Sequence, residues 1–310
     1  MLPPNYYTPY TNELLSYDQL SLSVSVVVPV YNIATLVDKT LAALIAQGYP
    51  RELTEIIIVD DGSDDDVLTV VRKYEKLAAI KFITHAHKGN RASTIRNKGI
   101  LASNGEVIIS LDGDCIPSRN LILEHVRMLQ ACRNSITLGP RRFIDSSLIS
   151  PKQLSENPDI CYELPEIPSV SKLKNTNNQI REETLFHFQD LTAHPKPYTV
   201  VHSCNMGYFK EDALEVGLFD EGFNGHYGFE DIEFAYRLWM KGNFVIPISK
   251  AIVFHQENNV LGKKERIAGN KRNFAYICDR IPTFKEDWVR SRLWTIYKNR
   301  TKNIETSTTQ

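Results

Sequence analysis

The chain predicts an α/β fold built on a mostly parallel sheet, and three observations carry that reading. Continuous apolar runs at Val24 to Val30, Glu55-Ile56-Ile57-Ile58-Val59 and Val107-Ile108-Ile109-Ser110-Leu111 have the pattern of strands buried on both faces. Stretches of helical period separate them, as crossovers between parallel strands require. Acidic turns fall at or near strand ends: Asp60-Asp61-Gly62-Ser63, Asp112-Gly113-Asp114 and, less directly, Asp38 in the first helix. Ligands of parallel sheets bind at the carboxyl ends of the strands, so these turns mark the candidate site.

Taken in order, residues 1–22 lack periodicity and read as an arm or capping segment. The regular alternation fills 23–140. After the strand Val24 to Val30, Leu36, Val37, Thr40, Leu41, Leu44 and Ile45 recur at helical spacing until Gly48 and Pro50 end the helix. The strand to Val59 is followed by a helix carrying Val67, Val70, Val71 and Tyr74, a strand near Ile80 to Thr84, and a helix from about Ala92 to Ser103. Residues 141–197 form a variable excursion, polar and proline-bearing from Asp145 to Lys196, with periodicity only around Ile180 to Leu191; such an excursion reads as a lid or acceptor region. Order returns over 198–280, with a strand predicted at Tyr198 to Lys210, a helix starting near Glu230, and short strands at Phe244 to Ile248 and Ala251 to Phe254. Residues 281–310 form a tail that mixes aromatic and basic side chains from Phe284 to Lys298. Packing on the domain is favoured over a membrane-surface helix, because Glu286 and Asp287 dilute the basic face, and peripheral membrane contact stays open.

With 310 residues and 42% hydrophobic composition the chain can bury a large core. A formal net charge of -1 excludes nonspecific nucleic-acid binding as its main task, since that needs a basic footprint. Five scattered cysteines without a CxxC pair point to a reducing compartment and away from structural zinc. The N-terminus has no basic stretch followed by an apolar core, and the longest apolar run is too short to span a bilayer, so a cytoplasmic location is expected.

Asp112 and Asp114 present two carboxylates at the end of a buried strand, where a hard divalent cation and a diphosphate could be held together. A polar turn closing a strand is the plain alternative. A second group, Gly225-His226-Tyr227-Gly228-Phe229-Glu230-Asp231, places two acids at the start of an amphipathic helix. Helix capping and the helix dipole explain one acid; the other could act as a general base. His255 follows the run Ala251-Ile252-Val253-Phe254 and would matter only if the fold brings it to Asp114.

Several motifs in order resemble family 2 inverting glycosyltransferases of the GT-A fold. These are Val26-Val27-Val28-Pro29-Val30-Tyr31-Asn32, Ile58-Val59-Asp60-Asp61-Gly62-Ser63, Lys88-Gly89 with Arg96-Asn97-Lys98-Gly99, and Leu111-Asp112-Gly113-Asp114-Cys115. Asn205-Met206-Gly207, Gly217-Leu218-Phe219-Asp220-Glu221 and Gly228-Phe229-Glu230-Asp231-Ile232-Glu233 are similar to the acceptor half of galactosyl- and N-acetylgalactosaminyl-transferring members, with His255-Gln256-Glu257 resembling the metal-binding histidine segment of bacterial chondroitin polymerase modules. The resemblance makes 23–140 the nucleotide-sugar-binding half and 198–280 the acceptor and catalytic half. It implies that Pro29, Tyr31, Asn32, Asp60 and Lys88 line a uridine pocket, that Arg91 or Arg96 reaches a phosphate, and that Asp112, with Gly113, faces ribose and sugar. Asp114 and His255, with Asp112 nearby, would hold Mn2+ or Mg2+. Asp231 is the expected base, Glu230 the residue that positions acceptor or donor, and Asn205 and Met206 the floor below the transferred sugar.

The implied reaction moves galactose or N-acetylgalactosamine, with glucose as a further candidate, from a UDP-sugar to an acceptor hydroxyl in one inverting displacement. The acceptor could be a glycan, a lipid-linked sugar, a peptide or a small molecule. Only one set of motifs is present, so a single transfer per acceptor is expected rather than polymerisation. The sequence leaves two rival activities. A sugar nucleotidyltransferase should carry a Gly-rich basic loop after its first strand, where this chain has Pro29-Val30-Tyr31-Asn32; a non-catalytic sugar-nucleotide or glycan binder would not need Asp114, His255 and Asp231 together.

Overall fold

A computed structural model describes residues 5–8, 14–167, 190–256 and 263–307. The first half contains β1 (Val24–Val30), α1 (Ala34–Leu44), β2 (Thr54–Asp60), α2 (Val67–Arg72), β3 (Ala79–Thr84), α3 (Ala92–Ala102), β4 (Val107–Leu111), β5 (Cys115–Pro117), α4 (Leu121–Ala131), β6 (Ser135–Leu138) and β7 (Arg141–Ile144). Then follow α5 (Pro151–Glu156), β8 (Asn205–Phe209), α6 (Lys210–Glu215), α7 (Glu230–Met240), β9 (Phe244–Pro247), β10 (Val253–Gln256), α8 (Lys263–Arg280) and α9 (Phe284–Ser307).

The large sheet has seven strands in the order β3-β2-β1-β4-β8-β6-β9. β3, β2, β1 and β4 are parallel, with Val26 opposite both Ile56 and Ile109. The branched apolar side chains of β1, β2 and β4 are almost fully buried, which is why these runs read as uninterrupted hydrophobic sequence rather than as alternation, while β3 at the sheet edge is only half-buried. β8 is antiparallel to both β4 and β6. From β1 the chain builds outward to β2 and β3, then crosses back to place β4 on the other side of β1, so the crevice between β1 and β4 is a topological switch point. A second sheet, β5-β10-β7, places β10 antiparallel to β5 and parallel to β7.

Helix α3 packs on β1 and β2. Gly99 makes that approach close: a Cβ there would lie 3.1 Å from Val59 Cγ2 and would collide with Val27 Cγ1. Gly99→Ala is therefore expected to destabilise the protein by about 1–3 kcal/mol despite the better helix propensity of alanine, measured as the shift in urea midpoint at unchanged slope.

Three sequence expectations need correction. The run Tyr198 to Lys210 is not one strand: Pro197–Val200 is a 3-10 turn and only Asn205–Phe209 pairs in the sheet. Tertiary contacts decide this, since the Tyr198 ring packs on Tyr236 and Trp239 and its hydroxyl donates to Asp287 at 2.7 Å. Asp38 is not beside the strand ends; it pairs with Lys73 at 2.7 Å and accepts from the Tyr74 hydroxyl, tying α1 to α2. Asp287 does not dilute a basic surface. It is buried, accepting from Tyr198 and Thr283 and pairing with Lys196 at 3.0 Å. Phe284, Asp287, Ser291 and Thr295 make the buried face of α9, while Val289 and Leu293 are exposed.

The excursion is partly ordered. Ser150 and Gln153 form a capping box at the start of α5, and 3-10 turns span Ser146–Leu148 and Pro158–Glu163. The periodic stretch expected from Ile180 lies, up to residue 189, outside the described residues. In the N-terminal arm, the buried Asn5 amide donates to the carbonyls of Leu191 and Val245 and accepts from Val245 N, which ties the arm to the edge strand β9. No helix among the described residues is long and apolar enough to cross a membrane.

Candidate active site

The parallel strands deliver the acidic turns to one edge of the sheet. Tyr31 and Asn32 follow β1, Asp60 ends β2, and Asp112 follows β4. Pro29 is half-buried opposite Val59, and Tyr31 stacks on His87 with ring centroids 4.1 Å apart. Asn32 adopts a left-handed backbone (φ 51); its N–H donates to Ser63 Oγ and its side chain accepts from Asp64 N. Asp60 is buried and accepts from Ser63 N and Oγ and from Thr84 Oγ1, so it fixes the Asp60-Asp61-Gly62-Ser63 turn.

Asp61 is the charge centre of this wall, which the sequence pattern did not single out. It is buried, with Arg91 at 2.6 Å, His85 Nε2 at 2.8 Å and His87 Nδ1 at 3.3 Å. Arg91, a candidate for phosphate contact, is thus engaged with Asp61 and the Ala86 carbonyl, while Lys88 is exposed in the same loop. The only sequence signal was His85-Ala86-His87, two histidines on alternate residues after β3. Gly62 (φ 74) lets the histidine loop close over the turn, because any Cβ there would strike the backbone of His85 and His87.

At the centre lies Arg96 on α3, with only 6% of its side chain exposed. It donates to Asp112 at 2.8 Å and reaches Glu230 at 3.3 Å, bridging the end of β4 to the start of α7. Burial works against its charge, yet the two carboxylates hold the guanidinium firmly protonated. Burial drives the Asp112 pKa up against the opposing pull of Arg96, with Asp114 and Cys204 adding to the rise. Glu230 is pushed up to about 7, first by burial and then by its neighbour Asp231, against the pull of Arg96. Such a displaced acid in a cleft is a mark of functional sites. Next to Arg96, Asn97 holds the backbone of Phe219 through two hydrogen bonds of 2.9 Å, anchoring the loop before α7.

Glu230 and Asp231 lie in the first turn of α7, where the helix dipole favours carboxylates. The residue before them, Phe229, has φ 75, a strained conformation for a bulky side chain. Its ring contacts Phe274, Phe284 and Trp288, and the buried Asn273 donates to the Gly228 carbonyl at 2.9 Å. The last helices therefore set the conformation that aims the two acids. Asp231 Oδ1 accepts from Ile232 N at 2.9 Å, and its side chain is half-buried.

Asp114 and His255 do meet. His255 Nε2 stands 3.6 Å from Asp114 Oδ1, longer than a hydrogen bond, and His255 Nδ1 is buried without a hydrogen-bond partner. Two ligands of one cation at about 2.1 Å each sit about 3–3.6 Å apart, so the carboxylate and imidazole fit the hard-to-borderline divalent ion expected here. Asp112 is turned to Arg96 instead. Gly113 fits under this turn because a Cβ would press on Ile33, Val30 and the Pro29 carbonyl, and its own carbonyl accepts from Thr40 Oγ1. Asn205 is wholly buried: its oxygen faces His125 Nε2 at 2.9 Å and its nitrogen donates to the Ala251 and Pro140 carbonyls. Met206 is equally buried beside it, opposite Ser110 of β4.

A switch-point crevice walled by acidic turns is where an open α/β sheet binds its ligand, and comparison with known proteins gives the class. Residues 25–217 match the model of glycosyl transferase family 2, and the chain belongs to that family. It is 30% identical over 272 residues to a chondroitin synthase of Pasteurella multocida, covering 84% of this chain and 28% of that protein. It spans 27% and 38% of two further curated relatives. Among solved structures, a mannosyltransferase of Pyrobaculum calidifontis in complex with GDP-Man and Mn2+ superposes with TM-score 0.57 at 16% identity, over 98% of this chain and 81% of that one. GalNAc-T7 with UDP, GalNAc and Mn2+ superposes with TM-score 0.56 at 18% identity, over 84% of this chain and 49% of that one. The fold is GT-A and the protein is a glycosyltransferase. Family membership removes the nucleotidyltransferase and the non-catalytic binder as readings.

Proposed function

We propose that this glycosyltransferase moves a galactose or N-acetylgalactosamine residue from a UDP-sugar to an acceptor hydroxyl by a single inverting displacement, with Asp231 as the general base. The observation that carries the reading is the Arg96 bridge, which brings the strand-end acid Asp112 and the helix-start acid Glu230 onto one guanidinium with Asp231 adjoining. In this assignment Tyr31, Asn32, Asp60 and the exposed Lys88 border the uridine, and Asp112 lies nearest the ribose and sugar. Arg96, already shared by two carboxylates, acts by positioning them rather than by binding a free phosphate. Glu230 orients the acceptor or sugar, and Asn205 and Met206 support the floor from below. Asp114 and His255 would hold Mn2+ or Mg2+, which supplies charge stabilisation to the leaving diphosphate. Asp231 takes the acceptor proton as the oxygen attacks the anomeric carbon from the opposite face, so an α-linked donor yields a β-glycoside.

UDP rather than GDP is supported by the motif set and by the GalNAc-T7 complex with UDP, whereas the mannosyltransferase shows that the same fold also accepts GDP-Man. A reducing, cytoplasmic setting is supported by the five free cysteines, and the exposed Val289 and Leu293 of α9 are the side chains that would meet a membrane surface. The acceptor class is left to experiment. The test is a panel of UDP- and GDP-sugars with Mn2+, scored by nucleotide release in the absence of acceptor. UDP-galactose or UDP-N-acetylgalactosamine should give the fastest release, and chelation with dialysis should reduce it by about tenfold or more. Turnover confined to GDP-sugars would overturn the donor assignment; turnover unchanged by chelation would overturn the metal.

A further inference from the structure

Cys115 lies beside the carboxylate and imidazole just described, and the sheet fixes where it points. Cys115 and His255 are directly opposed residues of the antiparallel pair β5 and β10, so their side chains leave the same face of that sheet. Gln256 N donates to the Asp114 carbonyl at 2.9 Å, which locks the preceding turn against β10. Cys115 Sγ stands 3.8 Å from Asp114 Oδ1, and the donor atoms of Asp114, Cys115 and His255 all lie within 4.8 Å of one another. Ligands about 2.0–2.3 Å from a tetrahedral cation are about 3.3–3.7 Å apart, close to the spacings seen from Asp114 Oδ1 to the sulfur and to the imidazole.

We infer that Cys115 is a third protein donor at this metal site, so the site binds Zn2+ or Co2+ through a carboxylate, a thiolate and an imidazole, and more tightly than Mn2+. The inference rests on the metal role proposed for Asp114 and His255. Thiolate is a soft ligand that suits zinc and cobalt, while manganese prefers oxygen, and the divalent affinity series runs in the same direction. Binding forms one metal–sulfur bond and breaks one S–H bond; the proton leaves to solvent and no electron is transferred. The site thereby discriminates between cations by one buried sulfur. Zn2+ at low concentration would displace Mn2+ from the diphosphate position.

The test is a Co2+ titration of the full chain followed by absorption. A thiolate-to-cobalt charge-transfer band in the near ultraviolet is expected, reversed by Zn2+ and only weakly by excess Mn2+. Cys115→Ser should abolish the band and weaken Zn2+ by about tenfold or more while Mn2+ affinity changes by less than about threefold. Cys204→Ser, which removes the neighbouring sulfur that contacts His202 Nδ1 at 3.2 Å, should keep the band. Bound Co2+ without the band in the unaltered protein overturns the sulfur ligand and leaves the metal site standing, a result that does not depend on how the variants fold. Loss of the band in Cys204→Ser but not in Cys115→Ser also overturns it. Failure of the unaltered protein to bind Co2+ at all overturns both the sulfur ligand and the metal reading beneath it.

Discussion

Asp231→Asn is expected to lower kcat by about 10²–10⁴-fold, the range associated with loss of a general base, while UDP affinity stays within about twofold. The substitution keeps size and leaves an amide oxygen that can still accept from Ile232 N, so the helix start is preserved. Asp231 starts α7, whereas Tyr31, proposed to border the uridine, follows β1 and stacks on His87, which is why binding and turnover should separate. The check is single-turnover transfer alongside calorimetric titration with UDP. Near-normal turnover would move the base role to Glu230, whose pKa of about 7 suits a group working at neutrality.

Arg96→Met should have the largest effect on stability, about 3 kcal/mol. Removing one partner of a buried ion pair leaves uncompensated charge and costs about 3–5 kcal/mol, and the lower end applies because Asp112 retains 32% side-chain exposure. The loss should depend on pH in a defined direction. Glu230 already has a raised folded pKa, so between its unfolded value of about 4.5 and about 7 the folded state holds more protons, and ionising Glu230 erodes stability as pH rises. Without the guanidinium that opposes this rise, Glu230 and Asp112 retain protons to higher pH. The melting-temperature gap between the two proteins should therefore be small near pH 5 and widen towards pH 8. A gap independent of pH would show that Arg96 acts through packing on Phe219, over which its guanidinium lies at 5.8 Å, rather than through charge.

Much of the parallel part of the sheet was legible in the chain because β1, β2 and β4 are buried on both faces. Val24–Val30 matches its apolar run residue for residue, and α1 and α3 begin and end where periodicity and glycine or proline punctuation place them. The pairing of Asp114 with His255 was legible only through a resemblance, since 141 positions separate them in the chain and nothing local aligns β10 with β5. Arg96 is the clearest gap. Its residue type marks it for phosphate, whereas its two partners arrive from the turn after β4 and from a helix that starts 134 positions further along the chain. Asp61 and Asp287 illustrate the same limit: the sequence places Asp61 in a strand-end turn and Asp287 on a surface face, and each becomes an ionic anchor because distant histidines, lysine or tyrosine close over it. The 3-10 turn before β8 was hidden for a related reason, since aromatic packing overrides the strand propensity of Tyr198 and Val200.

The left-handed Phe229 makes the aim of two acids depend on chain that comes well after them. The family 2 match ends at residue 217, before the acids at 230 and 231 and the aromatic cluster that holds them, whereas the alignment with the Pasteurella chondroitin synthase covers 84% of this chain. The conformation of the helix start that carries both acids is set by side chains of α8 and α9, far from the strands that carry the other acidic turns. Substitutions at Phe274, Phe284 or Trp288 are expected to redirect Glu230 and Asp231 while the strand-end turns keep their place.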